Sequence, residues 1–127
     1  LREIFTAVGA IVATHQPEEL AVERVFVHRN AASALKLGQA RAAAIRATFG
    51  RQLPLHQYAA KAVKLAVVGQ GGAEKPQVAH MVRALLQPPA PLAADEADAL
   101  AVALCHAHTR PLGARLAAAT RLRVVRR

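Results

Sequence analysis

The sequence predicts an α/β fold in which parallel strands alternate with helices. The predicted elements follow one another as helix, strand, helix, strand and further helices, and this order is typical of crossover units on a parallel sheet. The first strand is apolar on both faces, as in a sheet covered by helices on both sides. Hydrophobic residues make up 54% of the 127 residues, which argues against a disordered chain.

The first half of the chain contains both predicted strands. An apolar face with helical spacing that ends before Pro17 predicts the first helix. The β-branched, apolar segment Leu20–Val27 predicts a strand, and residues 31–49 predict the second helix, with Gly50 as its C-terminal stop. The segment Leu53–Tyr58 predicts a short second strand.

The second half of the chain is predicted to be helical. Lys61–Val68 predicts a helix that is followed by a flexible loop at Gly69–Gly72. Apolar residues with helical spacing predict a helix over Glu74–Gln87, and the prolines at 88, 89 and 91 predict a stiff linker. Asp95–His108 predicts the last helix, which is apolar on nearly all sides after its first turn and is therefore expected to be buried.

Two short strands are too few for a stable sheet that several helices cover. Either another chain completes the sheet, or strands that precede Leu1 are absent. We favour absent strands, because the sequence opens inside a helical pattern. The predicted domains are therefore residues 1–108, an α/β domain without its first strands, and residues 109–127, a basic arginine-rich tail that is expected to be flexible.

The charge is concentrated at the C-terminal end. Six arginines and no acidic residue lie in residues 110–127, so this segment carries six of the nine net positive charges. A basic arm indicates a polyanion such as nucleic acid, although a solubilising tail is the alternative. The stretch Ile4–Pro17 lacks charged residues but is shorter than the roughly 20 residues that span a membrane. The single cysteine, Cys105, fits a reducing compartment such as the cytoplasm.

Three carboxylates are the candidate catalytic groups. Glu23 lies within an apolar strand, where a carboxylate is costly unless it is paired, binds a cation, or reaches solvent or Arg24. Asp95 and Asp98 share one face at the start of the last helix, where they could instead cap that helix. Carboxylates from a strand and a helix start suit hard divalent cations. Two such ions about 4 Å apart can hydrolyse a phosphodiester.

Several other residues are candidates for contact with DNA. Lys64 and Lys75 are basic, and their alternative is a solvated surface. Phe26 precedes Arg29 and Asn30 in a polar stretch, where an aromatic ring could wedge against a base. The alternative for Phe26 is packing in the core.

Three segments resemble one known family. VERVFVxRNxxSALKLGQAR (Val22–Arg41), YAAKxVKxAVVGxGxAEKxQVxHMVRALL (Tyr58–Leu86) and ADEADALAVALCHAH (Ala94–His108) are similar to segments of the RuvC-type Holliday junction resolvases. The resemblance implies an RNase H-like fold, with helices on both faces of a mixed sheet, present here as an N-terminally truncated fragment. It also implies a cytoplasmic homodimer that uses Mg²⁺ or Mn²⁺, two ions per site, and acts with the RuvA and RuvB branch-migration proteins.

The resemblance also assigns roles to individual residues. Glu23, Asp95 and Asp98 match three of the four acidic residues of the family's metal site, and the fourth, an aspartate on the first strand, has no counterpart in this sequence. The resemblance implies DNA contacts for the remaining candidates, which are Phe26 at the junction centre, Arg29, Asn30, Lys64 and Lys75.

The expected function is therefore cleavage of four-way DNA junctions by paired, magnesium-dependent nicks during recombination and repair. Because the first-strand aspartate is absent, this fragment is expected to be inactive by itself. Two alternatives remain at this stage. One is a non-catalytic DNA-binding module of the same fold, and the other is an RNase H-like nuclease that acts on a different nucleic acid.

Overall fold

A computed structural model describes residues 1–24 and 30–125, with side chains of the last helix described as far as Pro111 and at Ala114. The predicted order of helices and strands is confirmed, and the fold is α/β. The two strands form a small parallel sheet. The elements are α1 (Arg2–His15), β1 (Leu20–Glu23), α2 (Ala31–Arg46), a 3₁₀ turn (Phe49–Arg51), β2 (Leu55–Tyr58), α3 (Ala60–Val68), α4 (Lys75–Leu86) and α5 (Ala94–Val125).

Three predicted elements in the first half differ from the structure, and one of them is β2, which begins at Leu55 rather than at Leu53. Helix α2 ends at Arg46 rather than at residue 49. The buried Thr48 hydroxyl donates to the Ile45 carbonyl oxygen at 2.7 Å, so a side chain satisfies the helix end and a 3₁₀ turn follows. Strand β1 ends at Glu23, with Arg24 already outside it. The rest of the predicted strand lies in residues 25–29, outside the described residues.

Helix α5 differs from its prediction in length and in burial. It continues past the predicted end at His108 to Val125 and includes Pro111, whose missing N–H leaves one helical carbonyl without its usual donor. Alanine, leucine and arginine dominate the continuation, and these are strong helix formers. The expectation of burial on all sides is wrong, because Ala99 and Ala103 are exposed. Alanine is small and apolar, so an alanine-rich face can be solvated at little cost. The domain boundary at residue 108 stays a prediction.

The chain divides into two compact units. The first unit comprises residues 1–20 and 24–57, and the second comprises residues 21–23 and 58–127. In the first unit α1 packs against α2, and Val12 is buried on α1. No residue of α2 is buried, and the side chains of Leu35 and Leu37 are exposed there. This unit therefore presents apolar helix surface to its surroundings.

The second unit has a core of small apolar side chains. Helices α3, α4 and α5 pack against one another, and Val82 on α4 is completely buried. Tyr58 and Ala21 pack against this core from the strands. Short side chains allow close approach of the three helices, and this approach forms the walls of the candidate site. The buried core residues are Val63, Val67, Ala73, Val78, Val82, Ala101, Val102 and Cys105.

Candidate active site

A cleft of about 200 Å³ opens in the second unit. Four charged side chains line it, each from a different element: Glu23 from β1, Lys64 from α3, Lys75 from α4 and Asp98 from α5. The rest of the lining is apolar. Two carboxylates and two ammonium groups therefore line one cleft together with apolar side chains. The carboxylates suit metal cations, and the ammonium groups suit anionic oxygens such as those of a phosphate. The apolar lining consists of Ala60, Val63, Val78, Ala101 and Val102.

The start of α5 holds one carboxylate that caps the helix and, two residues later, one that borders the cleft. Glu96 caps the helix, because its Oε2 accepts a hydrogen bond from the Ala93 N–H at 2.9 Å. The alternative in which Asp95 and Asp98 form the cap is therefore wrong. Asp98 shares a helix face with Ala101, three residues further along, and this face borders the cleft. Asp98 is thus available for chemistry.

Lys75 forms an ion pair with Asp98 across the cleft. The Lys75 Nζ lies 3.5 Å from the Asp98 Oδ2, and the two side chains are 82% and 47% exposed. Lys75 is the first residue of α4, where the helix dipole disfavours a positive charge, so helix stability does not explain a lysine there. An exposed pair contributes little to stability. Both groups can therefore exchange this contact for a ligand.

Glu23 and Lys64 border the same cleft with different burial. Glu23 is exposed at the end of β1, as one alternative from the sequence held, but its side chain also lines the cleft. The proposed pairing with Arg24 is absent, since Glu23 makes no ion pair within residues 1–24 and 30–125. Lys64 is half-buried on α3. Its ammonium therefore has less freedom than that of Lys75.

The remaining candidates lie elsewhere or outside the described residues. Asp95 is exposed in the first turn of α5 and does not line the cleft. Asn30 begins α2, and its Oδ1 accepts hydrogen bonds from the backbone N–H groups of Ala32 at 3.0 Å and Ser33 at 3.3 Å. Asn30 therefore stabilises a helix start, and its contact with DNA stays a prediction. Phe26 and Arg29 lie outside the described residues.

Sequence reasoning did not pair Tyr58 with His106. The Tyr58 hydroxyl lies 2.6 Å from the His106 Nδ1, and the two rings are 5.7 Å apart at an angle of 51°. This bond fixes α5 two helical turns beyond Asp98. Nothing in the periodicity pairs these two residues, because 48 positions separate them.

Comparison with known proteins identifies the family. The family model described as crossover junction endodeoxyribonuclease RuvC matches residues 1–106. The chain belongs to the RuvC family. A crossover junction endodeoxyribonuclease RuvC from Methylococcus capsulatus is 55% identical over 127 residues, which are all of this chain and 74% of that relative. The predicted family membership is confirmed.

Solved structures of the RuvC family share the fold. Thermus thermophilus RuvC superimposes with a TM-score of 0.77 at 37% identity, covering 87% of this chain and 68% of that one. Thermus thermophilus RuvC in complex with a Holliday junction substrate gives a TM-score of 0.81 over the same shares. The predicted RNase H-like fold is thereby confirmed. Of the helices that the structure describes, none is both long and apolar enough to cross a membrane.

Proposed function

We propose that this protein is a structure-selective endonuclease that resolves four-way DNA junctions by paired, metal-dependent hydrolysis of phosphodiester bonds. The observation that supports this most is the cleft in which Glu23 and Asp98 face Lys64 and Lys75 in a chain of the RuvC family. The related Thermus protein is bound to a Holliday junction substrate. Such cleavage would serve recombination and repair.

The carboxylates are suited to magnesium. Glu23 and Asp98 offer hard oxygen ligands, and the cleft of about 200 Å³ leaves room for ions that retain water. Asp95 precedes Asp98 by three residues on α5, so we include it among the proposed ligands of two Mg²⁺ or Mn²⁺ ions. The ions would supply an activated water and charge neutralisation at the leaving oxygen. Glu23 and Asp98 would hold these ions at the cleft.

The lysines are suited to the phosphate. Lys64 and Lys75 lie beside the carboxylates, where an ammonium group would attract the scissile phosphate and offset the repulsion from Glu23 and Asp98. Lys75 would exchange its 3.5 Å contact with Asp98 for a phosphate oxygen as DNA enters. Phe26, Arg29 and Asn30 complete the proposed DNA interface.

The proposed assembly is a homodimer. A four-way junction has approximate two-fold symmetry, so two matched nicks require two sites related by a two-fold axis. The exposed apolar surface of α2, which includes Leu35 and Leu37, is the contact that we propose for this dimer. Cooperation with RuvA and RuvB and a cytoplasmic location, which the family resemblance implies, belong to the same proposal.

Residues 1–127 alone are not expected to cut DNA. In the part of the chain that the structure describes, the carboxylates lining the cleft are Glu23 and Asp98. The fourth acidic residue that the family resemblance implies for this metal site, an aspartate on the first strand, is not among residues 1–127. Nicking of a junction by residues 1–127 alone would contradict this expectation.

A cleavage assay on matched DNA substrates tests the proposal. The protein is incubated with Mg²⁺ and either a labelled four-way junction or linear duplexes of the same sequence. We expect paired nicks at symmetric positions of the junction, ending in 5′-phosphate and 3′-hydroxyl groups, and intact duplexes. Binding without cleavage would favour a DNA-binding module instead. Equal cleavage of duplexes or of an RNA–DNA hybrid would favour a different nuclease of this fold.

A further inference from the structure

Lys61 is a cation beside the cleft that has no role in the proposed site. It lies in the first turn of α3 between Ala60 and Lys64, both of which line the cleft. With 3.6 residues per turn, Lys61 is displaced about 60° around the helix axis from Lys64. It is exposed, and within the described residues it has neither an ion-pair nor a hydrogen-bond partner. The helix dipole also disfavours a lysine in a first turn.

The stem of Lys61 lies across Gly71. A Cβ added to Gly71 would be 2.9 Å from the Lys61 Cγ and 3.0 Å from its Cε. The glycine therefore leaves the space through which the lysine stem passes, and the stem is confined by the loop that joins α3 to α4. The loop backbone does not demand a glycine at this position, because Gly69 has the positive φ of the loop, at 84°.

We propose that Lys61 is a third cation for the DNA backbone at this cleft, oriented toward a phosphate next to the one held by Lys64, and that Gly71 positions its side chain. This inference rests on the proposed function. Confining the stem reduces the rotamer freedom that a long side chain otherwise loses when it binds. Gly71 acts as a positioning residue, since it has no side chain to offer the DNA.

The first test measures junction binding across a salt series, in EDTA, with the protein as its gene encodes it. Lys61→Met keeps the stem and removes the charge. It should lower the slope of log K against log salt by about 0.9 and weaken binding about tenfold near 0.1 M salt, whereas Lys61→Arg should keep the slope. Lys64→Met is the reference variant for the interface, and thermal unfolding checks that each variant is folded.

The outcomes separate this inference from the proposed function. A lower slope for both Lys64→Met and Lys61→Met supports both. A lower slope for Lys64→Met alone overturns the role of Lys61 and leaves the proposed site intact. Unchanged slopes for both variants overturn the cleft as the DNA interface, and the role of Lys61 fails with it.

A second test isolates the positioning by Gly71. Gly71→Ala should displace the lysine stem and weaken binding several-fold in the otherwise unchanged protein, but it should have no effect in a Lys61→Ala background. Gly72→Ala is the matched control, because an added Cβ there meets no described atom within 4 Å and Gly72 also lacks a positive φ. Equal effects of Gly71→Ala with and without Lys61, or equal effects of the two glycine substitutions, would overturn the positioning role.

Discussion

The ammonium of Lys75 lies 3.5 Å from the carboxylate of Asp98. One partner is a proposed phosphate ligand and the other is a proposed metal ligand, so a bound metal and a bound phosphate would each take the place of this ion pair. The pair is largely exposed and therefore weak. Binding of a cation at Asp98 should release Lys75 toward the DNA, and this couples the two ligands.

Lys75→Met should change cation binding and DNA binding in opposite directions. Removing the ammonium from Asp98 should tighten Mg²⁺ or Mn²⁺ binding by a few-fold, corresponding to about 1 kcal/mol or less for an exposed pair. The same change should lower the salt slope of junction binding by about 0.9. Calorimetric titration with the metal checks the first effect, with Lys36→Met on α2 as the control. Metal affinity that stays equal or falls in Lys75→Met would contradict the idea that Lys75 and the metal compete for Asp98.

Gly38→Leu should weaken the dimer more than the fold. Gly38 lies in a stripe with Ala34 and Ala42 on α2, it is exposed, and an added Cβ would meet no described atom within 4 Å. Leucine is a better helix former than glycine by up to about 1 kcal/mol, so the protomer itself should not lose stability. Analytical ultracentrifugation measures the dimer, and Gln39→Leu on the next position is the control. A dimer that survives Gly38→Leu unchanged would place the interface elsewhere.

Cys105 should resist thiol reagents in the folded protein. It is buried, its Sγ donates a hydrogen bond to the Ala62 carbonyl oxygen, and burial raises the pKa of its thiol. Folding therefore favours the neutral thiol. The resulting contribution to the free energy of unfolding is complete below the ordinary thiol pKa, and it is lost as the pH rises through the pKa of the thiol in the folded protein.

Two measurements check this behaviour. Labelling by a thiol reagent should be slow until urea unfolds the protein. The free energy of unfolding should fall more steeply at alkaline pH in the natural sequence than in Cys105→Ala. Rapid labelling under native conditions would show that the thiol is accessible.

The sequence predicts the order of the elements well and their ends less well. The bounds of α3 and α4 agree with prediction to within a residue, because amphipathic spacing is regular there and Glu74 and Gln87 flank α4 as its caps. Helix α5 extends beyond its predicted end because local helix propensity persists after Pro111. The early end of α2 depends on the Thr48 hydroxyl, whose bond to Ile45 no periodicity reveals.

The site is predicted in composition but not in geometry. Of the candidates that the sequence selects, Glu23, Lys64, Lys75 and Asp98 line one cleft. Asp95 and Asn30 do not line it, and Phe26 and Arg29 lie outside the described residues. The sequence cannot distinguish Asp95 from Asp98, since which of them lines the cleft depends on how α5 packs against α3 and α4. The contact between Lys75 and Asp98 joins two helices, so it depends on packing that local patterns do not encode.

Asp95→Asn and Asp98→Asn should each preserve binding of the junction while weakening the metal binding on which cleavage depends. Each removes a negative charge near the phosphate path, so junction affinity in EDTA should be unchanged or slightly higher. Each should also weaken Mg²⁺ binding, because an amide oxygen is a poorer ligand than a carboxylate. Calorimetry of metal binding beside a gel-shift assay checks both effects. Loss of junction binding in either variant would indicate that the aspartate contributes to DNA contact or to folding instead.

The most direct test is a junction-nicking assay with Mg²⁺ on the protein as its gene encodes it, compared with Asp98→Asn and Glu96→Gln. Glu96→Gln is the matched control, because it removes one charge from the same helical turn and keeps an oxygen that can accept from Ala93. We predict paired nicking by the natural sequence and by Glu96→Gln. Asp98→Asn should bind the junction but cut it more than about 100-fold more slowly, since even partners outside the first ligand shell contribute 10–100-fold. Robust cutting by Asp98→Asn would contradict a metal-dependent active site in this cleft.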